Sequence, residues 1–221
     1  MSQQDDAGGE RRREPLLNAP WPSLAVVAAI LGSYAWQVAF GGGDAAADVL
    51  GFAPADLDHG RWSGLITVMF VHGAWAHAIM NAVAALAFGP PVARLLGPGL
   101  RGALAFFGFY LLCGVVSCLG YAALHLHDPQ TVVGASGAVS GLMGAAARLL
   151  GGGDRLLPIR SRPVISLSLG WAAANAILAV FSVTPFMPGA RIAWEAHIAG
   201  FVFGLFAIGP LAQGLGRLTS R

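Results

Sequence analysis

A serine between glycines is the first candidate for chemistry in this chain. Ser136 lies in the stretch GASGAVSGLMG, and Gly137, Gly141 and Gly144 follow it at helical spacings of four and three. A serine nucleophile needs an exposed hydroxyl and a backbone that a substrate can approach closely, which flanking glycines permit. The same pattern lets two membrane helices pack tightly. Taken alone, the stretch is compatible with a nucleophile or with a packing motif.

A histidine above a second row of glycines could supply the base. His197 lies in the run AHIAGFVFG, and Gly200 and Gly204 follow three and seven residues later, so the three share one helix face. If this face packs against the glycines that follow Ser136, the imidazole comes within hydrogen-bond reach of the hydroxyl and can take its proton. The pattern predicts a Ser136–His197 pair, with a buried structural histidine as the alternative.

Other polar residues lie in or beside apolar segments, where they are costly and often functional. His77 and Asn81 are four residues apart and share a helix face, so they could line an oxyanion pocket or bond to each other and to nearby backbone. His72 is expected to tie down the loop before them. Asn175 has no partner that the sequence identifies, and a helix–helix hydrogen bond is predicted for it.

Two other kinds of site receive little support. Gly151-Gly152-Gly153-Asp154 matches the Gly-x-Gly-Asp of intramembrane aspartyl proteases, but no second aspartate lies within an apolar segment. His72 and His77 lack the spacing and the glutamate of a zinc-binding H-E-x-x-H helix. The sequence therefore predicts no metal and no other cofactor.

Composition indicates an all-α, polytopic membrane protein whose surroundings are the lipid bilayer. Of the 221 residues 56% are hydrophobic and 11% are charged, and the mean hydropathy is +0.65. A net charge of +2 is too small to indicate a nucleic-acid partner. Cys113 and Cys118 are five residues apart in one apolar segment, so they are not predicted to pair.

Six apolar segments are long enough to cross a membrane. They cover about residues 22–40, 75–92, 100–124, 132–150, 164–181 and 192–211. Pro90 and Pro91 are expected to end the second segment, and residues 41–61 are expected to form a loop. The predicted organisation is a disordered tail over residues 1–20, a six-helix membrane domain over 21–214 and a short tail over 215–221. A cleaved signal peptide is the alternative for the first segment.

Arginine placement predicts the orientation. All 13 basic residues are arginines, and with the N-terminus inside, the outer loops hold only Arg61 and Arg191. This asymmetry predicts that both termini lie in the cytoplasm. The richness in alanine, glycine, proline and arginine suggests a bacterial source, so the chain is expected in a bacterial inner or plasma membrane. Ser136, His197 and His77 then lie toward the outer face, each near the beginning of its helix.

Three blocks together resemble the rhomboid intramembrane serine proteases. The blocks are TVMFVHGAWAHAIMN at residues 67–81, GASGAVSGLMG at 134–144 and AHIAGFVFG at 196–204. The resemblance covers roughly residues 61–209. It implies a six-helix bundle in which Ser136 is the nucleophile and His197 the general base, a dyad without an acid.

The resemblance also implies roles for the residues around the dyad. His77, Asn81 and the backbone N–H of Ser136 would form the oxyanion hole, shaped by Gly134 and Ala135. His72 would brace the site. The glycines that would pack the fourth helix against the sixth are Gly137, Gly141, Gly200 and Gly204. The fifth helix and the Phe186-Met187-Pro188 loop would form the mobile entrance and cap.

The chain departs from the family pattern at three positions. The first-loop arginine is missing or displaced to Arg61, Ser140 stands where an aromatic residue usually stacks on the histidine, and Ala93 stands where a glutamate is common. These changes bear on how firmly the first loop is anchored and how His197 is held.

The sequence thus predicts a protease that cleaves transmembrane segments of other membrane proteins near the outer face. Its partners would be transmembrane substrates and lipid. The sequence does not indicate whether the protein is a monomer or an oligomer. The alternative is a weak or inactive relative that binds transmembrane helices. A small transporter is a third possibility, but the internal repeat and broken charged helices of transporters are missing.

Overall fold

A computed structural model describes residues 19–40, 44–151, 155–180 and 192–218. These ranges contain α1 (Trp21–Phe40), α2 (Asp44–Leu50), α3 (Gly64–Thr67), α4 (Trp75–Leu96), α5 (Gly99–Leu124), α6 (Ser136–Ala147), α7 (Arg162–Val180) and α8 (Trp194–Gly214). The predicted all-α fold is confirmed. Asp154, the Phe186-Met187-Pro188 loop and residues 1–18 of the predicted tail lie outside the described residues.

Five of the described helices are long and apolar enough to cross a membrane: α1, α4, α5, α7 and α8. Each of the six predicted segments corresponds to one helix, and the third matches α5 to within a residue at either end. Many large apolar side chains on these helices face outward, including Leu104, Leu112 and Val83. In a chain of this composition such outward apolar faces are the ones that contact lipid.

The fourth predicted segment is longer than the helix that forms. Helix α6 has 12 residues and covers about 18 Å, well short of a hydrocarbon core of about 30 Å. Its residues from Gly137 to Ala147 are all buried, because α4, α5 and α8 surround it. Most of these residues are glycine, alanine or serine, so neighbouring helices can approach α6 closely on every side.

The predicted end of the second segment is wrong. Helix α4 continues through Pro90 and Pro91 to Leu96. Each proline removes one backbone donor, but membrane helices tolerate proline where neighbouring structure compensates. Val92 and Leu96 beyond the prolines are fully buried against the bundle, and that packing favours continuation of the helix.

The predicted loop over residues 41–61 contains helical turns and is tied to the chain before α6. Phe52 and Val132 form an antiparallel bridge, with N–H to carbonyl distances of 3.0 and 2.8 Å. The hydroxyl of Thr67 donates to the carbonyl of Leu50 at 2.7 Å. Arg61 forms an ion pair with Asp56 within this loop. The bridge between Phe52 and Val132 is the contact that holds this loop against the segment that leads into α6.

Candidate active site

The side chains of Ser136 and His197 meet at the first turns of α6 and α8. Nε2 of His197 lies 2.8 Å from Oγ of Ser136, a hydrogen-bond distance. Ser136 is the first residue of α6 and His197 the fourth of α8. A neutral imidazole in this position can accept the hydroxyl proton as the oxygen attacks an electrophile.

Backbone contact between α6 and α8 brings these two turns together. A Cβ atom on Gly200 would overlap the carbonyl oxygen of Gly137, and one on Gly204 would overlap that of Gly141. One on Gly144 would likewise overlap the carbonyl oxygen of Phe201. Close approach therefore requires glycine on both helices over several turns.

Ser117 of α5 is a supporting residue that the sequence reasoning missed. Its hydroxyl donates to the carbonyl of Ala196 at 2.8 Å, next to His197. A Cβ atom on Gly137 would overlap this hydroxyl, so Ser117 contacts both α6 and α8. The signal in the sequence was a serine within an apolar segment, and the structure shows that this serine is buried.

His72 is fully buried in the loop before α4, where it contacts the segment that leads into α6. Its Nε2 accepts the backbone N–H of Ala135 at 3.4 Å. Burial, with a smaller contribution from the nearby His77, lowers the pKa of His72 from 6.5 to about 3. The ring is therefore neutral near pH 7 and can act as this acceptor.

Gln37 of α1 holds His72 from the other side and was also missed. The Gln37 amide donates to the His72 carbonyl at 2.9 Å and accepts the His72 N–H at 3.1 Å. Both residues are buried. The contact connects α1 through His72 to the backbone one residue before Ser136.

His77 lies against the backbone that leads into α6. Gly134 has φ +121°, a conformation that favours glycine, and a Cβ atom there would overlap the His77 ring. The Gly134 N–H donates to the Val68 carbonyl at 3.0 Å, which fixes this turn. Asn81, one turn further along α4, donates one N–H to the His77 carbonyl at 3.0 Å. The structure therefore places His77 beside the serine loop, while the hydrogen bond of Asn81 stays within α4.

Asn175 of α7 bonds to the far side of the His197 ring. Its Oδ1 lies 2.9 Å from Nδ1 of His197, and its Nδ2 donates to the Trp171 carbonyl at 2.9 Å. The Trp171 ring lies beside the imidazole, with centroids 6.4 Å apart and planes at 35°. The partner that the sequence left unidentified for Asn175 is thus the candidate base itself.

The remaining sequence candidates occupy ordinary positions in the bundle. Ser140 is 2% exposed on the buried surface of α6. Cys113 and Cys118 are buried free thiols. Within the described ranges, no three histidine, cysteine, aspartate or glutamate side chains gather as a metal site would require.

Comparison with known families adds one finding. A family model described as "Rhomboid domain" matches residues 59–213, more than half of the chain. A search of curated proteins gives no match. The matched region includes every residue placed around Ser136 above except Gln37 of α1.

Proposed function

Because the chain belongs to the rhomboid family, whose members are typically intramembrane serine proteases, we propose that it is an endopeptidase that cleaves transmembrane segments. The observation that carries this proposal is the 2.8 Å hydrogen bond between His197 and Ser136. A hydroxyl bonded to an imidazole is the pair that acyl transfer by serine requires.

The proposed reaction has two stages. His197 Nε2 takes the proton of Ser136 Oγ as that oxygen attacks a peptide carbonyl and forms a tetrahedral intermediate. The peptide C–N bond then breaks, the imidazolium gives its proton to the leaving amine, and an ester to Ser136 remains. Water, deprotonated by His197, attacks this ester and releases the carboxyl product and the free hydroxyl.

We propose that three donors stabilise the oxyanion: the backbone N–H of Ser136, the His77 ring and the Asn81 amide. The N–H of Ser136 belongs to the first turn of α6, where backbone donors have no partner within the helix. Asn81 has two N–H groups, of which one is engaged with the His77 carbonyl. The proximity of His77 to Gly134 supports its inclusion.

The proposed entrance for substrates is beside α7. Only Val164 and Asn175 are buried along this 19-residue helix, so α7 is held to the bundle by few interactions. A substrate helix must unwind locally before its carbonyls can reach Ser136, because its own hydrogen bonds hide them. Glycine or proline near the cleavage site should therefore favour cleavage.

The proposed location is a bacterial inner or plasma membrane, with both termini in the cytoplasm and the site toward the outer face. Support comes from the arginine asymmetry, in which Arg61 and Arg191 alone fall in predicted outer loops. The proposed partners are transmembrane substrates and lipid, with no nucleic acid and no cofactor.

The test is cleavage of a model transmembrane substrate by the purified protein in detergent, compared with Ser136→Ala. A fluorophosphonate probe should label the wild type and fail to label either Ser136→Ala or His197→Ala. Absence of cleavage by the wild type, or equal cleavage by Ser136→Ala, would falsify the protease proposal. Retention of the uncut substrate by both proteins would instead favour an inactive relative that binds transmembrane helices.

A further inference from the structure

On the basis of the protease function proposed above, we propose that Asn175 is a positioning residue that completes a Ser136–His197–Asn175 triad. In this arrangement Asn175 fixes the tautomer of His197, so that Nδ1 carries the proton and Nε2 presents its lone pair to Ser136. The inference goes beyond a two-residue dyad, because it assigns the orientation of the base to a third side chain on a different helix.

The hydrogen bonds of Asn175 determine which way its amide points. The Trp171 carbonyl can only accept, so the group 2.9 Å from it must be the amide NH₂. The oxygen of the same amide then faces Nδ1 of His197 at 2.9 Å. An amide oxygen can also only accept, and Nδ1 must therefore be the protonated nitrogen of a neutral imidazole.

This tautomer is the one that the proposed chemistry needs. With the proton on Nδ1, the lone pair of Nε2 faces Ser136 Oγ at 2.8 Å and can receive its proton. The opposite tautomer would donate Nε2–H to the hydroxyl and could not act as its base. Without an acceptor at Nδ1, nothing in this arrangement would favour the first tautomer over the second.

Burial makes the interaction difficult to replace with water. Asn175 is 1% exposed, although most of α7 is open on its outer faces. Trp171, one turn earlier, places its ring beside His197 and stacks on Phe201 of α8 at 6.4 Å and 24°. Two consecutive turns of α7 thus contact the base, while position 140, usually aromatic in this family, is a serine.

The arrangement makes the base depend on the position of α7. Ser136 and His197 are carried by α6 and α8, whose backbones touch, whereas Asn175 is carried by a helix with few buried residues. His197 therefore has its Nδ1 acceptor only while α7 lies against α8.

The decisive measurement is the tautomer of His197 by ¹⁵N NMR of the histidine-labelled protein in detergent, assigned by loss of its signals in His197→Gln. The wild type should show a protonated Nδ1 and an unprotonated Nε2. In Asn175→Leu, which keeps the size of the side chain but lacks the acceptor, the two ¹⁵N shifts should converge as the tautomers mix. Ser168→Ala is the matched control, because it removes a similar bond to the carbonyl four residues earlier on the same helix.

Kinetics give the second readout. Asn175→Leu should lower kcat by about 100-fold, in the range of general-base contributions, and leave KM within about twofold. A protonated Nε2 in the wild type, an unchanged tautomer in Asn175→Leu or an unchanged kcat in that variant would each overturn the proposal. The wild-type spectrum tests the tautomer even where Asn175→Leu does not fold.

The two proposals can fail separately. If the wild type cuts no substrate but His197 shows the Asn175-dependent tautomer, the protease function fails and the positioning of His197 by Asn175 stands. If the wild type cuts substrate and the tautomer is independent of Asn175, the triad is wrong and the protease function stands.

Discussion

Gly204 of α8 lies directly against Gly141 of α6, so that a Cβ atom on Gly204 would overlap the Gly141 carbonyl oxygen. The same contact recurs one turn earlier, between Gly200 and Gly137. Because the two backbones touch over successive turns, their distance is set by the absence of side chains. The first turns of α6 and α8, which carry the candidate serine and histidine, are positioned by this contact.

Substitution of Gly204 by alanine should therefore lower both the stability of the protein and the reactivity of Ser136. The new methyl group must force α8 away from α6, at a cost of about 1–3 kcal/mol in the free energy of unfolding. We expect Gly204→Ala to lower the unfolding temperature in detergent and to slow fluorophosphonate labelling of Ser136.

Gly108 of α5 provides the matched control for this prediction. It is also a helical glycine, but a Cβ atom there would meet nothing within 4 Å. Gly108→Ala should be neutral or slightly stabilising, because alanine is the better helix former. Equal effects of the two substitutions on stability and labelling would show that the contact between Gly204 and Gly141 does not set the distance between α6 and α8.

The pairing of Gln37 with the backbone of His72 gives a second prediction. Gln37→Leu leaves a buried backbone N–H and a buried carbonyl without this partner, and each such group costs about 1–3 kcal/mol. We expect a lower unfolding temperature and weaker labelling of Ser136, measured in the same samples. Ser33→Ala is the control, because it removes a hydroxyl that bonds to a carbonyl of its own helix, α1. A Gln37→Leu protein that matches Ser33→Ala in both measurements would contradict this prediction.

Part of the fold and site can be predicted from local pattern alone. Apolar length identifies the helices that cross the membrane, and α5 is bounded by glycine and by polar residues that mark its ends. The glycine spacings after Ser136 and His197 are enough to predict that these faces meet, because grooves without side chains permit close approach. Such features depend only on residues that are close together in the sequence.

The contacts between polar residues on different helices depend on how the helices are rotated against each other, and the sequence does not show this rotation. Gln37 and Asn175 are visible as polar residues in apolar helices, but their partners lie 35 and 22 residues away on other elements. The start of α6 was also missed, because residues 132–135 are as apolar and small as a helix interior. The bridge to Phe52 holds Val132 outside the helix, and Gly134 has a φ of +121°, which no helix residue has.

The serine at position 140 gives a third prediction. Ser140→Tyr would restore the aromatic residue that is usual in the family, but Ser140 is 2% exposed in a close-packed surface. We expect the substitution to destabilise the protein by about 1–3 kcal/mol or more and to reduce cleavage. Ser140→Ala, which removes only the hydroxyl, is the control and should retain most stability and activity. Increased cleavage by Ser140→Tyr would mean that the site has room for the ring and lacks the support proposed from α7.

Acid should destabilise the protein through His72. Burial lowers the pKa of His72 to about 3, whereas the unfolded chain has the ordinary value of 6.5. Between these pH values the unfolded state binds a proton that the folded state does not, so stability falls as the pH decreases below 6.5, by up to about 1.4 kcal/mol per pH unit. His72→Gln removes this titration, so its free energy of unfolding should change less between pH 7 and pH 5 than that of the wild type. His59→Gln, which changes an exposed histidine, is the control. Unfolding of all three proteins is followed by tryptophan fluorescence in the same micelles. Identical pH dependence in the wild type and His72→Gln would rule out His72 as the acid-sensitive group.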